Sequence, residues 1–289
     1  MGHEKKVLKL KLMVVPAIGW ILVTCAGSPG QPPNATAPAV DVYDGFETAG
    51  LSEAWDSSRF VPGAMTMQSD IVRAGHGAVR IVVRANDKYE AGTRGNPPNE
   101  RAELMEARTL VSREGGNYEY SFSMFLPPDF PIVPTRLVIA QWKQYCPGGN
   151  CPYDSPVLAI RYVSGVLRIT HKIGPDQATL YETKAELRNR WLDFKFQIRF
   201  STLADGRIKA WLNNEQIVDY TGVNAYPENA QTGFPNPGWF YFKMGLYRDL
   251  MVEPMAIYID EYRKKELPGN AFQASAIPIR VTAIGRASD

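Results

Sequence analysis

From Val42 onward, hydrophobic residues recur at every second position in short segments broken by turn residues, and no long stretch keeps the 3.6-residue spacing of an amphipathic helix. The clearest segment is 191–200. Leu192, Phe194, Phe196, Ile198 and Phe200 fall on one side, Asp193, Lys195, Gln197 and Arg199 on the other, which predicts a half-buried strand. Asp205-Gly206 and Asn213-Asn214 then mark two turns of a meander, with strands at 207–212 and from Gln216. Similar patterns at 118–126, 137–144, 157–163, 166–170, 239–247 and 256–262 bring the number of strands to ten or more, without an internal repeat. The predicted fold is all-β, a jelly-roll sandwich of two antiparallel sheets.

Three of these segments carry chemistry on the face opposite their apolar one. In 100–104, Arg101 and Glu103 share a side against Ala102 and Leu104. In 138–143, Gln141 and Lys143 project together, opposite Val138, Ala140 and Trp142. In 239–248, Phe240, Phe242, Met244 and Leu246 form an apolar stripe, and Tyr241, Lys243, Gly245 and Tyr247 the other side. Taken singly, an Arg-Glu pair on a strand is more often a cross-strand salt bridge than a catalytic pair, and a Lys or Tyr on a wet face mostly solvates. The co-occurrence on three strands is what points to a groove. Gly245 leaves a gap there into which a ligand could press.

The N-terminus changes the charge balance. Lys5, Lys6, Lys9 and Lys11 precede an apolar stretch from Leu12 to Val23, a secretory signal layout too short for a comfortable membrane span. Leu22-Val23-Thr24-Cys25 is similar to a bacterial lipoprotein processing site, with Thr24 a poor fit; lipidation at Cys25 and ordinary secretion both stay open, and a lipid there is the only expected membrane attachment. The whole chain has 32 basic and 30 acidic residues, but without residues 1–24 the balance falls near −1. A near-neutral chain with no basic run gives no case for nucleic acid. The expected organisation is a leader at 1–24, a flexible Pro/Gly/Ala-rich linker at 25–40, a sandwich domain at 41–266 and a C-terminal extension at 267–289 of unassigned role. Cys146 and Cys151 flank Pro147-Gly148-Gly149-Asn150. In an exported protein a small-loop disulfide is favoured over a metal site, which no second Cys pair or nearby His supports.

In these residues the chain resembles a known group. Arg101-Ala102-Glu103-Leu104, Gln141-Trp142-Lys143 and Tyr241-Phe242-Lys243-Met244-Gly245-Leu246-Tyr247 look like the three successive signature strands of the jelly-roll polysaccharide lyases, which include alginate lyases, glucuronan lyases and heparin lyase I relatives. Asp44-Gly45-Phe46-Glu47 and Tyr258-Ile259-Asp260-Glu261 are in the same style, and the resemblance spans roughly 42–266. Trp142 and the Tyr247-Arg248 pair place it nearer the glucuronan and heparin lyase I side. The resemblance implies a concanavalin-like sandwich, an exported monomer and an anionic polysaccharide substrate. It also implies Arg101 and Gln141 on the uronate carboxylate, Tyr247 as acid/base, and Lys243 beside it. Glu103, Tyr241, Arg248 and His76 are expected to help bind the chain.

Two departures matter. Met105 stands where relatives often have a second Arg, and Lys143 stands where many have a His base. Lys143 could replace that base only with its pKa lowered by burial or nearby cations. No cofactor is needed for the chemistry. A structural Ca²⁺ held by Glu47 and Asp260 is weighed evenly against an ordinary salt bridge or turn cap. No tight paired-carboxylate motif of the sandwich glycosidases appears. Two other classes stay open: a carbohydrate-binding module, stacking sugars on Tyr241, Tyr247 and Trp142, and an accessory or purely structural sandwich on the cell surface.

Overall fold

The alternation at 191–200 becomes the strand Arg190–Arg199 in a computed structural model, which describes residues 40–56, 60–88, 99–149, 151–153 and 156–272. The expected leader, nearly all of the linker and most of the C-terminal extension lie outside the described residues. Sixteen strands are present among those described. They are β1 Asp41–Asp44, β2 Trp55–Asp56, β3 Met65–Gln68, β4 Ala78–Val83, β5 Asn99–Glu106, β6 Ser112–Arg113, β7 Asn117–Leu126 and β8 Leu137–Gln144. The others are β9 Leu158–Val163, β10 Val166–His171, β11 Ala178–Thr183, β12 Arg190–Arg199, β13 Arg207–Leu212, β14 Glu215–Thr221, β15 Trp239–Asp249 and β16 Met255–Leu267. Among the described residues no helix is long and apolar enough to cross a membrane.

The strands form two antiparallel sheets. One runs β14-β13-β12-β7-β16-β4-β3, with β1 on β16; the other runs β11-β10-β9-β8-β15-β5-β2, with β6 on β15. This is the jelly-roll sandwich that the alternation predicts. The inner faces meet in an aromatic core: Phe122 of the first sheet lies 5.3 Å from Phe242 of the second, and Phe200 stacks on Phe240 at 4.0 Å. Trp142 is fully buried there, 4.6 Å from Phe196 and 4.7 Å from Phe242. It is a core residue, so the sugar-stacking role weighed for it in a binding module is withdrawn.

Irregularities in the ladders decide which side chains reach the outer face of the second sheet. Between β8 and β15 the register shifts, so that Met244 pairs with Ala140 but Tyr247 with Val138. Gly245 sits in this bulge at φ +140°, where a Cβ would lie 2.3 Å from the Ala102 carbonyl oxygen, so only glycine fits. A matching shift against β9 turns Ile139 into the core and Val138 out to the row that holds Tyr247 and Arg161. The strict alternation had put Val138 inside; the bulge adds one residue and reverses the parity.

Candidate active site

Strands β5, β15 and β8 are adjacent, and the three chemical faces coincide on the outer side of the second sheet. Lys243 pairs with Gln141 on one side and Met105 on the other, and Tyr247 pairs with Arg101. Arg101, Glu103, Gln141, Lys143, Lys243, Tyr241 and Tyr247 therefore share one surface, as alternation along the separate strands implied.

Glu103 is the anchor of that surface. It is buried, its Oε1 accepts a hydrogen bond from the Gln141 side-chain amide, and its Oε2 lies 3.7 Å from both Arg101 and Lys243. Its buried carboxylate is hydrogen-bonded to Gln141 and ion-paired with Arg101 and Lys243, which holds the three side chains together before any ligand arrives. Arg101 also donates to Asn99 Oδ1 at 3.1 Å, and its guanidinium lies 4.4 Å from the centre of the Tyr247 ring. A second guanidinium, Arg136, sits 4.8 Å from the same ring and donates to the Tyr247 hydroxyl at 3.1 Å. Arg136 is itself held by Asp249, to which its Nε donates at 2.8 Å. The Tyr247 hydroxyl thus lies in a strongly cationic setting, suited to a group that must carry negative charge during proton transfer.

Sequence reasoning missed Arg136, Asp249, Asn99 and Arg161. Asp249 and Asn99 continue the outward alternation of β15 and β5 past the segments considered, so the period could have found them. Arg161 alternates with the core residues Ile160 and Tyr162 in the same way. Arg136 precedes β8 in a loop, and no pattern flags it.

Three expected residues lie elsewhere or differently. Arg248 is not on the ligand face: it is completely buried, 2.8 Å from Glu100, and donates to the Glu253 carbonyl at 2.6 Å. As the neighbour of Tyr247 in an extended strand it must point to the opposite side. His76 lies in the turn before β4, where the neighbouring Arg73 pairs with Asp193 on the outer face of the first sheet, across the sandwich from the groove. Its part in binding at the groove is therefore withdrawn. Lys143 is on the groove face but opposite Tyr241, six residues along β15 from Tyr247, on the order of 15–20 Å of backbone at ~3.3 Å per residue.

Glu47 and Asp260 act as caps of that same turn. Both Glu47 oxygens accept the His76 N–H, at 3.1 and 2.9 Å. Asp260 accepts the N–H groups of Arg73, Ala74 and Glu261 at 2.8, 3.2 and 2.8 Å. Among the described residues no group of three or more His, Cys, Asp or Glu side chains converges as a metal site. The donor set fits the turn-cap alternative better than the six or more oxygens that Ca²⁺ takes.

Toward the Tyr241 end the face deepens into a pocket of about 160 Å³ lined by Met105, Arg108, Tyr145, Trp239 and Tyr241. Tyr145 stacks on Trp239 with centroids 5.8 Å apart. The residue after Tyr145 is Cys146, which forms the expected disulfide with Cys151.

His171, the remaining histidine among the described residues, packs inside, its ring 5.0 Å from Tyr220 of the facing sheet. Burial lowers its pKa to about 4, against an ordinary 6.5. Between these values the unfolded chain takes up a proton that the folded chain refuses, so this histidine's stability contribution is complete above pH 6.5 and is lost as pH falls toward 4. The loss is expected to reach up to about 3 kcal/mol. Denaturant melts at pH 7 and pH 4.5 should show a drop for the wild type that shrinks in His171→Phe; equal drops in both proteins would refute it.

Comparison with known proteins identifies the family and the fold. A family described as Polysaccharide lyase matches residues 44–263. Among solved structures, the endo-beta-1,4-glucuronan lyase from the fungus Trichoderma reesei superposes with a TM-score of 0.61 at 19% identity, covering 78% of this chain and 95% of that one. The family 7 alginate lyase AlgAT5 gives 0.50 at 17% identity, covering 73% and 86%. The GH131 beta-glucanase catalytic domain from Podospora anserina gives 0.51 at 12% identity, covering 74% and 84%. At these identities the likeness shows a common fold. No functionally curated protein matches the sequence.

Proposed function

We propose that this chain, which belongs to the polysaccharide lyase family, is an exported enzyme that cleaves 1,4-linked uronate chains by β-elimination and favours D-glucuronate chains over mannuronate-rich alginate, heparin or heparan sulfate. The observation that carries the reading is the Tyr247 hydroxyl, bonded to Arg136 and in register with Arg101.

The reaction removes the proton on C5, forms the C4–C5 double bond and breaks the bond from C4 to the bridging oxygen, which leaves with a proton. The C5 proton is acidic only if the adjacent carboxylate cannot accumulate a second negative charge. Arg101 and Gln141, aligned by Glu103, are the donors for that carboxylate, and Lys243 adds positive charge beside them. Tyr247 takes the C5 proton and returns it to the departing oxygen. In D-glucuronate and D-mannuronate that proton and the C4 oxygen lie on the same side of the ring, so one residue can serve both steps. L-Guluronate and L-iduronate place them on opposite sides and call for a second base. Lys143 of β8, paired with Tyr241 six residues along β15 from Tyr247, supports the single-tyrosine route.

Hydrolysis in the manner of a glycosidase needs two carboxyl groups placed across the bond. Glu103 and Asp249 are instead each committed to cations of the groove. The Cys146–Cys151 disulfide favours an oxidising compartment, in keeping with the secretory leader pattern.

The test is a panel of glucuronan, alginate, heparin, heparan sulfate and pectic polymers, followed by ultraviolet absorbance of the unsaturated product. Glucuronan is expected to react fastest. Binding without any unsaturated product would favour the carbohydrate-binding module instead.

A further inference from the structure

Across the second sheet, perpendicular to its strands, the registers align Arg101 of β5, Tyr247 of β15, Val138 of β8, Arg161 of β9 and Arg168 of β10 in one row. Three of the guanidinium groups on or beside this row already have carboxylate partners: Arg101 has Glu103, Arg136 has Asp249, and Arg168 has Glu182 at 2.6 Å. Arg161 does not. Among the described residues its polar partner is the Thr170 hydroxyl, to which Nε donates at 3.0 Å. It is half-buried, and burial together with the nearby Arg136 charge lowers its pKa from the ordinary value. A desolvated cation that faces another cation and lacks an anion is a costly arrangement, and an incoming carboxylate relieves it.

We propose that Arg161 binds the carboxylate of a uronate residue neighbouring the one that is cleaved, and that the polysaccharide therefore crosses the strands along the row from Arg101 over Tyr247 and Val138 to Arg161. This rests on the uronate-lyase reading above. With Nε held by Thr170, the two terminal nitrogens are left to grip a carboxylate end-on. Val138 stands between Tyr247 and Arg161 in the row, an apolar side chain that competes for neither cation. Two strand spacings, about 10 Å in all, separate Arg161 from Tyr247, so it addresses a different sugar from the one whose C5 proton is removed. A polyuronate supplies a carboxylate on each residue, and Arg161 thereby selects for a charged neighbour as well as a charged target.

The experiment compares wild type, Arg161→Gln and Arg161→Lys on glucuronan and on the same polymer with part of its carboxyl groups reduced to alcohols. On intact polymer, Arg161→Gln should raise KM about tenfold or more, the range for losing one charged hydrogen-bonded contact, with kcat within about threefold. Arg161→Lys should recover part of the loss, and the wild-type preference for intact over reduced polymer should shrink in Arg161→Gln. An unchanged KM, or an equal loss on both polymers, would overturn the assignment. Calorimetric titration of each protein with oligoglucuronate separates the two readings. Wild type that binds but never cleaves would remove the lyase chemistry while leaving the Arg161 comparison in force, and equal affinities of wild type and Arg161→Gln would remove the Arg161 site.

Discussion

Tyr247→Phe is expected to lower turnover on glucuronan by about 10³- to 10⁴-fold, toward the upper end for loss of a positioned acid/base. The substitution removes one oxygen and keeps the ring that packs against Arg101 and Arg136, so the groove should remain folded and still bind the chain. KM should therefore stay within a few-fold while kcat collapses, the signature of a contact made in the transition state. Lys143→Ala separates the alternatives. If Tyr247 alone moves the proton, Lys143→Ala should alter KM and leave most of kcat. Substantial activity in Tyr247→Phe, or a clear preference for guluronate or iduronate, would sink the single-tyrosine route.

Lys264→Met is expected to destabilise the fold by about 3–5 kcal/mol, the usual cost of stranding one member of a buried ion pair. Lys264 of β16 and Glu106 of β5 are both completely buried, with 2.9 Å between Nζ and the carboxylate, and they join the two sheets across the interior. Tyr262 donates to Glu106 at 2.7 Å, the Phe242 N–H donates at 3.3 Å, and Lys264 also donates to the Leu110 carbonyl. The Tyr120 ring lies 4.8 Å below the ammonium. Burial pushes the Glu106 carboxyl up and the Lys264 ammonium down from their ordinary pKa values, and the charge of each partner opposes the other's shift. In thermal denaturation Lys264→Met should melt about 10 °C or more below the wild type. The double variant Glu106→Gln/Lys264→Met should recover most of the loss, because no uncompensated charge remains and the glutamine can still meet Tyr262. A single variant within 1 kcal/mol of wild type would show that the pair is not coupled.

Much of the site was legible because β-sheet chemistry is local. Side chains of a strand alternate between two faces whatever the sheet around them. Counting by twos along 100–104, 138–143 and 239–248 therefore separated Arg101, Glu103, Gln141, Lys143, Tyr241, Lys243 and Tyr247 from Trp142, Phe242 and Leu246, and the order of the three segments carried the family resemblance. Counting fails where a residue is added. The bulge at Gly245 and Ile139 moved Val138 to the outside. A second irregularity between Asp260 and Arg263 turned Tyr262 and Lys264 into the core, so no period in the sequence announces the Glu106 pair. Arg248 was misplaced for another reason. Its neighbour Tyr247 ends the third motif on the groove face, and a run of matching letters says nothing about which face each letter occupies.

By itself, then, the sequence determined an all-β sandwich, a cationic face with a tyrosine on three particular strands, and a thiol pair close enough to bridge. Each of these follows from spacing within a few residues. Only the tertiary structure decided that Arg136, from a loop, reaches the Tyr247 hydroxyl and that the His76 turn belongs to the far side of the sandwich. It alone aligned Arg161 with Tyr247 across two strand spacings. The physical reason is that neighbours in a sheet are set by ladder register between segments far apart in the chain. A single inserted residue changes that register while leaving every local pattern intact.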